Sequence, residues 1–570
     1  MTQDAVSSRN IERIHGTVGE ILLDALIQNG VRYIFGVPGD FNLTFLDIVE
    51  RHPQVNFISC RNELNASYAA DGYSRIVGLG VLVTTYGVGD LSALNGVAGA
   101  YAEKIPLIHI SGSPPTHAVE RGLPLHHTAA DGNFDNVLNC FREFTVESLR
   151  LSLSDTASEI SRVIRIALTE SRPVYIQLPS DIVDREISGN VVSRPSVVFA
   201  DAVTKKIAWR IFDQIDRSVN PILLVGGAYP RSHFMELLLE LAGRRKIPVI
   251  LSPTAKGILS EYDNRFHGYY KGKQSGRNVS DLMDRADCIV AIGMRYSDVE
   301  TGLFSDNIDP AVLIDIQPEI VTLGQDAVAI PSANSLIEEI LNVADISSGV
   351  RGDTSRYALA QKRHHKPGEQ LDSLTHASLW ACIEDFLDEN DIVVTDTGTA
   401  FSGLMSVKIP QRSTVISQPT WASLGYALPA ALGASVAAQG RRVVAFLGDG
   451  SLQMTIQEFS TIASLELPIL FFFINNNGYT IEKLINGLHA EYNKIPEWHY
   501  LQIIKAMSPG YDIFYRKVNT VNDFYSATEC MASHNAVAFI DMVLASDDFP
   551  DGLDKFCTEF ARFDYGILRD

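Results

Sequence analysis

The sequence predicts an α/β protein built from three doubly wound parallel-sheet domains, and two observations lead to this fold class. Helical periodicity alternates with short apolar runs, as in "TVGEILLDALIQNG" followed by "YIFGVPGD", which is the pattern of βα units around a parallel sheet. The alternation recurs from "NPILLVGGAYP" to "ADCIVAIG" and again from "DIVVTDTG" to "LPILFFFINNNG". With 570 residues, of which 46% are hydrophobic, the chain is long enough to form several cores.

Two polar stretches with little periodicity interrupt the alternation, and they set the predicted domain boundaries. They are "SGNVVSRPSV" near residue 190 and "ISSGVRGDTSRYALAQKRHHKPGEQ" further along. The predicted divisions are domains at 1–190, 191–345 and 371–570, with a linker at 346–370. The adjacent His364 and His365 lie in that charged linker, and we assign them no role.

Charge and composition argue against several classes of function. The formal net charge of −21 is unsuited to a nucleic-acid surface, which needs concentrated Lys and Arg. The longest apolar run, "LPILFFFI", is too short to cross a bilayer, and the polar N-terminus lacks the apolar centre of a signal peptide. Six widely spaced cysteines form no zinc motif and no disulfide framework. We therefore expect a protein of the reducing cytoplasm that binds neither nucleic acid nor membrane.

A candidate anion and metal site follows two of the predicted strands near the C-terminus. In "RRVVAFLGDGSLQMTIQEF" a strand ends at Gly448, and Asp449 and Gly450 open a helix whose backbone N–H groups can approach phosphate. Asp-Gly alone is also ordinary turn chemistry. The next apolar strand ends at Asn476, 27 positions after Asp449. Both residues are expected at the carboxyl ends of strands. Carboxylate, amide and carbonyl oxygens at such a place are suitable ligands for a Mg²⁺ ion that also binds a diphosphate.

These motifs resemble those of a known family. GDGS, the 27-residue spacing and NNGYTIE are similar to the diphosphate and magnesium signature of thiamine diphosphate enzymes. Further motifs, over nearly the whole chain, resemble the 2-oxo acid decarboxylases that act on pyruvate, indolepyruvate, phenylpyruvate or branched-chain acids: GVPGDFNLTFLD, RNELNASYAADGYSR, TTYGVGDLSALNG, HHTAADG and SQPTWASLGYALPAALGA. The resemblance implies pyrimidine-binding, central and diphosphate-binding domains, in that order. It also implies non-oxidative decarboxylation of a 2-oxo acid to an aldehyde and CO₂, with thiamine diphosphate and Mg²⁺ as cofactors.

The resemblance implies roles for five polar residues. Glu63 would bond the pyrimidine ring of the cofactor and promote the tautomer that removes the reactive proton, although a Glu that opens a helix also fits a plain N-terminal charge. Asp40, His126, His127 and Glu482 would handle protons, because a 2-oxo acid anion takes up a proton as it becomes a neutral aldehyde. We expect a raised pKa in at least one of the two acids of this apolar cleft. The histidine pair would also fit a structural loop.

The remaining cofactor and metal residues are also implied by the resemblance. Asp449, Asn476 and the carbonyl of Gly478 would bind the metal. Leu424 would hold the cofactor in a bent conformation, although a simple core position is the alternative. Other residues would line the cofactor or face its diphosphate: Thr397, Gly398, Thr399, Ala422, Gly450, Ser451, Thr480 and Ile481.

Two positions predict the size of the substrate. Val299 stands where pyruvate decarboxylases carry a large aromatic residue, and Phe401 stands where branched-chain decarboxylases carry Phe. The freed space favours a longer apolar substrate, branched-chain or aromatic, over pyruvate. The alternative is that Val299 belongs to the core and that Phe556, Phe560 and Phe563, at helical spacing, fill the space.

The resemblance also bears on assembly and on rival functions. It implies a homo-oligomer whose active site forms between two subunits, with the dimer as the minimal active unit and a dimer of dimers, a homotetramer, as the expected assembly. A pyruvate decarboxylase, a carboligase similar to acetohydroxyacid synthase and a non-enzymatic thiamine diphosphate-binding protein are the alternatives. The adjacent His126 and His127 favour decarboxylation over the carboligase.

Overall fold

The fold is described from a computed structural model. It describes residues 11–192, 201–228, 237, 239–243, 246–348, 373–487, 489–531, 534 and 536–566. Contacts divide the chain into two compact units. The first unit comprises Met1–Val197, Leu428–Gln439 and Thr455–Leu467; the second comprises Val198–Ala427, Gly440–Met454 and Pro468–Asp570.

The first unit contains a six-stranded sheet in which every strand pair is parallel, in the order β3-β2-β4-β5-β7-β6. The strands are β1 (Ile11–Thr17), β2 (Tyr33–Gly36), β3 (Asn56–Ser59), β4 (Gly80–Thr85), β5 (Leu107–Ser113), β6 (Glu147–Arg150), β7 (Val174–Pro179) and β8 (Glu186–Val192). The helices are α1 (Val18–Gln28), α2 (Leu43–Arg51), α3 (Glu63–Val77), α4 (Val88–Glu103), α5 (Thr116–Glu120), α6 (Asn136–Arg142) and α7 (Thr156–Glu170). Strands β4, β5 and β7 are buried along their whole length, as expected for a sheet with helices on both faces.

One predicted linker is partly a strand. Residues 188–192 of "SGNVVSRPSV" belong to β8, which pairs antiparallel with β1 near the N-terminus. For residues 188–192 the prediction of an irregular linker was wrong, because the partner strand lies about 170 residues away in sequence and neither strand alternates strongly in hydrophobicity. Residues 193–197 lie outside the described residues. In the second linker, residues 346–348 end a helix, and the rest, including His364 and His365, lies outside the described residues. The domain boundaries themselves stay a prediction.

The second unit contains two sheets. Its strands are β9 (Pro221–Val225), β10 (Val249–Leu251), β11 (Phe266–Tyr269), β12 (Cys288–Ile292), β13 (Leu313–Ile316), β14 (Ile320–Leu323), β15 (Asp326–Ala329), β16 (Ile392–Thr395), β17 (Thr414–Ile416), β18 (Val443–Gly448), β19 (Ile469–Asn475), β20 (Phe514–Val518) and β21 (Ala538–Val543). Its α-helices are α8 (Ala202–Arg217), α9 (Arg277–Arg285), α10 (Asp298–Thr301), α11 (Ala333–Ser348), α12 (His376–Phe386), α13 (Thr399–Leu404), α15 (Asp449–Thr455), α17 (Thr480–Asn486), α18 (Tyr500–Met507), α19 (Val521–Met531) and α20 (Leu553–Tyr565). Among the described residues no helix is long and apolar enough to cross a membrane.

The middle sheet has the order β11-β10-β9-β12-β13-β14-β15 and is parallel except for its last two strands. These pair antiparallel because short turns connect β13, β14 and β15, whereas a parallel connection needs a crossover of a dozen residues or more. Successive residues of β9 alternate between two hydrophobic clusters, with Leu223 in one and Ile222 and Leu224 in the other. Both faces of this sheet are therefore covered, as predicted for a doubly wound sheet.

The last sheet has the order β17-β16-β18-β19-β21-β20 and is entirely parallel. The apolar runs predicted as strands near the C-terminus form β16, β18 and β19, which lie side by side in its centre. Because the strands are parallel, the segments that follow them emerge at one edge of the sheet. The three sheets confirm the predicted α/β class.

Two helices of the C-terminal half pack in the first unit: α14 (Ala427–Ala437), from Leu428 onward, and α16 (Phe459–Ser464). Helices α14 and α3 approach so closely that a Cβ on Gly433 would lie 1.8 Å from the carbonyl oxygen of Ala69. A Cβ on Gly72 would lie 2.2 Å from the carbonyl oxygen of Ala430. The two backbones are in contact, and only glycine fits at these two positions.

Gly433→Ala should therefore destabilise the protein, because the added methyl must push two packed helices apart. We expect a loss of about 1–3 kcal/mol or more in the free energy of unfolding, measured by chemical denaturation. Gly276→Ala is the matched control, since a Cβ there meets no atom within 4 Å, and its stability should stay within about 0.5 kcal/mol of the wild type. Equal stability of the two variants would contradict the close helix contact.

Candidate active site

The residues predicted to bind cofactor and metal meet at one edge of the last sheet. Thr397, Gly398 and Thr399 follow β16, Asp449 follows β18, and Asn476 follows β19. The strands are neighbours in register, with Gly448 opposite Ile474. The structure thus brings together residues that are up to 79 positions apart in sequence.

Asp449 is held at this edge by three backbone hydrogen bonds. Its carboxylate is 2% exposed and accepts hydrogen bonds from the backbone N–H groups of Asn476 (3.1 Å), Gly478 (3.2 Å) and its neighbour Gly450 (2.7 Å). Burial raises the pKa of Asp449 to about 6, and the backbone donors oppose that rise. The carboxylate has lost most of its contact with water, and the three N–H groups replace that contact only in part. A bound cation would therefore stabilise its negative charge.

The loop after β19 shows how the other predicted ligands are arranged. The amide Nδ2 of Asn476 donates to Oγ1 of Thr480 at 2.8 Å, so the amide oxygen is the atom left for a ligand. Gly478 has φ +143°, and a Cβ there would meet the carbonyl oxygen of Asn493 at 2.6 Å. Carboxylate, amide and carbonyl oxygens are hard donors, and this set fits Mg²⁺.

Small residues leave room at this edge for a bound group. A Cβ on Gly448 meets nothing within 4 Å, and one on Gly398, where φ is +80°, would approach only Ile481 Cγ1, at 4.0 Å. Ser451 and Thr480 are buried close by in sequence, at the start of α15 and α17. The open space at the ends of β16 and β18 leaves room for a diphosphate.

Sequence reasoning missed Asp396, which directly follows β16. Its side chain is 1% exposed, and Oδ1 accepts the N–H of Ala427 at 2.9 Å. Burial raises the pKa of Asp396 to about 7, against the hydrogen bonds from Ala427 and Ser451. The carboxyl group thus ties the end of β16 to two neighbouring segments. In sequence, Asp in "TDTG" is indistinguishable from an ordinary turn residue.

A cavity of about 1350 Å³ in the second unit is lined by Val299 and Phe401, the two predicted substrate residues. Thr397, Gly398, Ala422 and Ile481 share it. Phe556, Phe560 and Phe563 of α20 line another part of the wall, so this aromatic stripe lies beside the space and leaves it open. Leu424 does not line the cavity and is half-buried.

Glu63, in the first unit, is the first residue of α3. Asn62 caps the helix by accepting the N–H of Asn65 at 2.8 Å. Glu63 Oε1 lies so close to the first turn of α4 that a Cβ on Gly89 would be 3.1 Å from it. The carboxylate is thus held near the amino ends of two helices, where a negative charge is favoured.

Glu458 is a second residue that the sequence did not reveal. Its side chain is fully buried in the first unit, and Oε2 accepts both the N–H of Arg61 and Nδ2 of Asn65, each at 3.0 Å. Burial and the adjacent Glu458 raise the pKa of the Cys60 thiol well above its usual value. Because its two donors lie on either side of Glu63, Glu458 positions the start of α3.

Asp40, His126 and His127 form a cluster in the first unit. Asp40 Oδ2 lies 2.6 Å from His126 Nε2, and Oδ1 lies 3.5 Å from His127 Nε2. Although partial burial acts to raise it, the pKa of Asp40 is lowered, by the hydrogen bond from His126 and the charges of both imidazoles. The expected raised pKa is therefore absent at Asp40, because histidines rather than a second acid surround it. Glu482 lies in the second unit, on α17, with an exposed side chain.

The histidine loop rests on a buried polar network that the sequence also did not predict. Asp90 is fully buried and accepts hydrogen bonds from the hydroxyls of Thr84, Ser111 and Tyr175 and from the N–H of Gly87. A Cβ on Gly87 would lie 1.9 Å from the carbonyl oxygen of His127. Asp90 therefore holds the turn against which the histidine loop packs.

Three domain models match the chain. They are described as the thiamine pyrophosphate enzyme N-terminal TPP binding domain, central domain and C-terminal TPP binding domain, and they match residues 16–137, 209–337 and 396–542. These matches follow the three parallel sheets along the chain.

Full-length relatives carry decarboxylase names. The chain is 34% identical to a putative pyruvate decarboxylase of Schizosaccharomyces pombe, over 94% of this chain and 96% of that protein. It is 34% identical to pyruvate decarboxylase isozyme 3 of Saccharomyces cerevisiae, over 95% and 97%. It is 35% identical to an alpha-keto-acid decarboxylase of Mycolicibacterium paratuberculosis, over 94% and 95%.

Glu458→Ala should reduce both stability and activity, because it leaves the buried Nδ2 of Asn65 unpaired, at about 1–3 kcal/mol, and removes the acceptor of the Arg61 N–H just before α3. We expect kcat to fall together with the unfolding midpoint, and Glu458→Gln, which keeps one acceptor oxygen, to recover most of both. Glu170→Ala, at an exposed position of α7 in the same unit, is the control and should change neither. A Glu458→Ala variant with wild-type kcat would contradict the positioning role.

Asp90 should make stability depend on pH. Burial raises the pKa of Asp90 from its ordinary 3.8 to about 6, so the folded chain holds a proton that the unfolded chain has lost. This contribution is fully present below about pH 4 and is lost as pH rises through 6. The free energy of unfolding of the wild type minus that of Asp90→Asn should therefore fall by roughly 1 kcal/mol between pH 5 and 7.5. A difference that is constant or rises with pH would contradict this account.

Proposed function

The chain belongs to the thiamine diphosphate-dependent 2-oxo acid decarboxylases, and we propose that it converts a branched-chain or aromatic 2-oxo acid into an aldehyde and CO₂ with bound Mg²⁺. One observation carries the proposal: the buried Asp449 and Asn476 follow two neighbouring strands at one edge of the last sheet. The cavity lined by Val299 lies in the same unit. The family membership favours decarboxylation over the carboligase and the non-enzymatic alternatives.

We assign the cofactor and metal to the following residues. Asp449, Asn476 and the Gly478 carbonyl would hold Mg²⁺, and Gly450, Ser451, Thr480 and Ile481 would face the diphosphate. Thr397, Gly398, Thr399, Ala422 and Leu424 would line the rest of the cofactor. When bound, thiamine diphosphate supplies the electron sink that accepts the electrons left when CO₂ departs.

The polar residues of the first unit would bind and move protons. Glu63 would hold the pyrimidine ring through its carboxylate. The pair Asp40 Oδ2 and His126 Nε2, at 2.6 Å, is close enough to share one proton, which could pass to the reacting carbon. His127, 3.5 Å from the other oxygen of Asp40, can replace that proton. Glu482 of the second unit completes the proposed set.

The proposed substrate class depends on the cavity wall. Relatives of similar identity carry the names pyruvate decarboxylase and alpha-keto-acid decarboxylase, so family membership leaves the side chain of the substrate open. The cavity of about 1350 Å³ also contains Thr397, Gly398, Ala422 and Ile481, which we assign to the cofactor, so the proposed substrate class depends on the wall and not on the total volume. Val299, Phe401, Phe556 and Phe560 make part of that wall apolar. These features support a substrate larger than pyruvate.

We further propose a cytoplasmic homo-oligomer in which a dimer is the minimal active unit and a dimer of dimers is the final assembly. The resemblance of the motifs supports this assembly, since it assigns Glu63 and Asp449 of different chains to one cofactor. All six cysteines are free, which suits a reducing compartment. Sedimentation of the active enzyme measures the assembly directly.

A comparison of kcat/KM for pyruvate, 4-methyl-2-oxopentanoate and phenylpyruvate tests the substrate class. Three additional carbons at roughly 0.8 kcal/mol each should favour 4-methyl-2-oxopentanoate over pyruvate by up to about 50-fold. Val299→Phe should shrink that preference, because the ring takes the space of the longer side chain.

Val219→Phe is the matched control, since Val219 is 83% exposed and does not line the cavity. It should leave the ratio of the two kcat/KM values unchanged. A wild type that prefers pyruvate, or an unchanged preference in Val299→Phe, would contradict the substrate assignment. Release of neither aldehyde nor CO₂ from any 2-oxo acid would overturn the proposed function as a whole.

A further inference from the structure

The cluster of Asp40, His126 and His127 has the composition and spacing of a transition-metal site. One potential ligand atom from each side chain lies within 4.8 Å of the other two. In the single chain the side chains are 46%, 61% and 31% exposed, which leaves room for a water ligand beside a bound cation. Within the described part of the chain, this cluster combines two imidazoles and a carboxylate at metal-binding distances.

The distances between the ligand atoms would have to change by no more than about 1.5 Å to reach those of a zinc site. In a tetrahedral zinc site with bonds of about 2.0–2.1 Å, ligand atoms lie roughly 3.3 Å apart. The 3.5 Å between Asp40 Oδ1 and His127 Nε2 already matches this spacing. The 2.6 Å contact of the other oxygen, Asp40 Oδ2, with His126 Nε2 would open by about 0.7 Å when a metal takes the place of the proton between them.

Both imidazoles are held in place by one aromatic ring. His126 stacks on Phe41 with ring centroids 5.1 Å apart and planes 14° apart, and His127 meets the same ring edge-on at 6.1 Å. Phe41 is itself buried. The loop is also fixed from behind, because the His127 carbonyl packs against Gly87. Ordered ligands reduce the entropy that metal binding must overcome.

The chemistry of the donors separates this cluster from the oxygen site at Asp449. Two imidazole nitrogens and one carboxylate, with a position left for water, are the ligands of catalytic zinc sites and of other borderline divalent metals. Mg²⁺ instead prefers an octahedron of oxygens and dehydrates reluctantly. A chain that holds both sets can therefore bind two different cations at once.

We propose that Asp40, His126 and His127 form a second divalent-metal site that selects Zn²⁺ over Mg²⁺ and that, when filled, inhibits the enzyme. A metal can bind His126 Nε2 only when that nitrogen carries no proton, so the proton moves to Nδ1 or to solvent and the hydrogen bond to Asp40 gives way to the metal–ligand bonds. The metal then occupies the atoms that would pass that proton to the substrate. The inhibition, though not the binding, rests on the proposed function.

The binding test uses the full-length enzyme already saturated with Mg²⁺ and thiamine diphosphate. Co²⁺, the spectroscopic probe for Zn²⁺, should produce visible absorption typical of a four-coordinate nitrogen and oxygen site, and Zn²⁺ should bleach it. Asp40→Asn and His127→Gln should weaken Co²⁺ binding by at least 10-fold, since even the outer partners of metal ligands are worth roughly 10- to 100-fold.

His117→Gln is the matched control, because His117 pairs with a single carboxylate, Asp181, at 3.9 Å in the same unit. It should leave Co²⁺ binding unchanged. Absence of the absorption in the wild type, equal binding by Asp40→Asn, or equal weakening by His117→Gln would overturn the site.

The inhibition is measured separately. Zn²⁺ in the presence of excess Mg²⁺ should lower kcat, and a chelator should restore it. Binding without loss of kcat would overturn the inhibitory role. An enzyme that binds Co²⁺ in this way but decarboxylates no 2-oxo acid would overturn the proposed function and leave the metal site standing, so the two failures are distinguishable.

Discussion

The burial of the Asp449 carboxylate at the end of β18 is the constraint on which the proposed cofactor edge depends. An anion at 2% exposure is stable only with donors around it, and here three backbone N–H groups supply them. Two of these donors belong to the loop after β19, so the carboxylate holds that loop against the segment that follows β18. Burial still raises the pKa of Asp449 to about 6, so the ionised carboxylate is not fully stabilised by these donors. A bound cation would supply the remaining stabilisation.

A similar use of a buried carboxylate occurs at the start of α3 in the first unit. Glu458 comes from a segment almost 400 residues further along the chain, yet its Oε2 receives donors on either side of Glu63. The close glycine contacts between α3 and α14 fix the same helix along its length. The half-buried Glu63 is thus held by groups that do no chemistry themselves, which is how a rigid site is built.

Much of the fold could be predicted from the sequence because buried parallel strands appear as continuous apolar runs, and β18, β19 and the spacing from Asp449 to Asn476 are examples. The pairing of β1 with β8 could not be predicted from the sequence. The two strands lie at opposite ends of a long segment, and the backbone hydrogen bonds that join them do not depend on a recognisable side-chain pattern. Asp90, Asp396 and Glu458 were missed for a related reason: a buried acid has the same letter as an exposed one, and only its tertiary donors distinguish it. The pKa of Asp40 is lowered because its nearest neighbours are imidazoles, so Asp40 is not the acid with the raised pKa that the sequence predicts for at least one of the two acids.

The measurement that tests the central claim most directly is the exchange of the C2 proton of bound thiamine diphosphate in Glu63→Gln and in the wild type. Gln keeps the shape of the side chain but lacks the charge that, in the proposed role of Glu63, favours the reactive tautomer. The variant should bind the cofactor with similar affinity, exchange the C2 proton far more slowly and lose most turnover. Wild-type exchange in Glu63→Gln would contradict the role of Glu63, and with it the account of how this chain activates its cofactor.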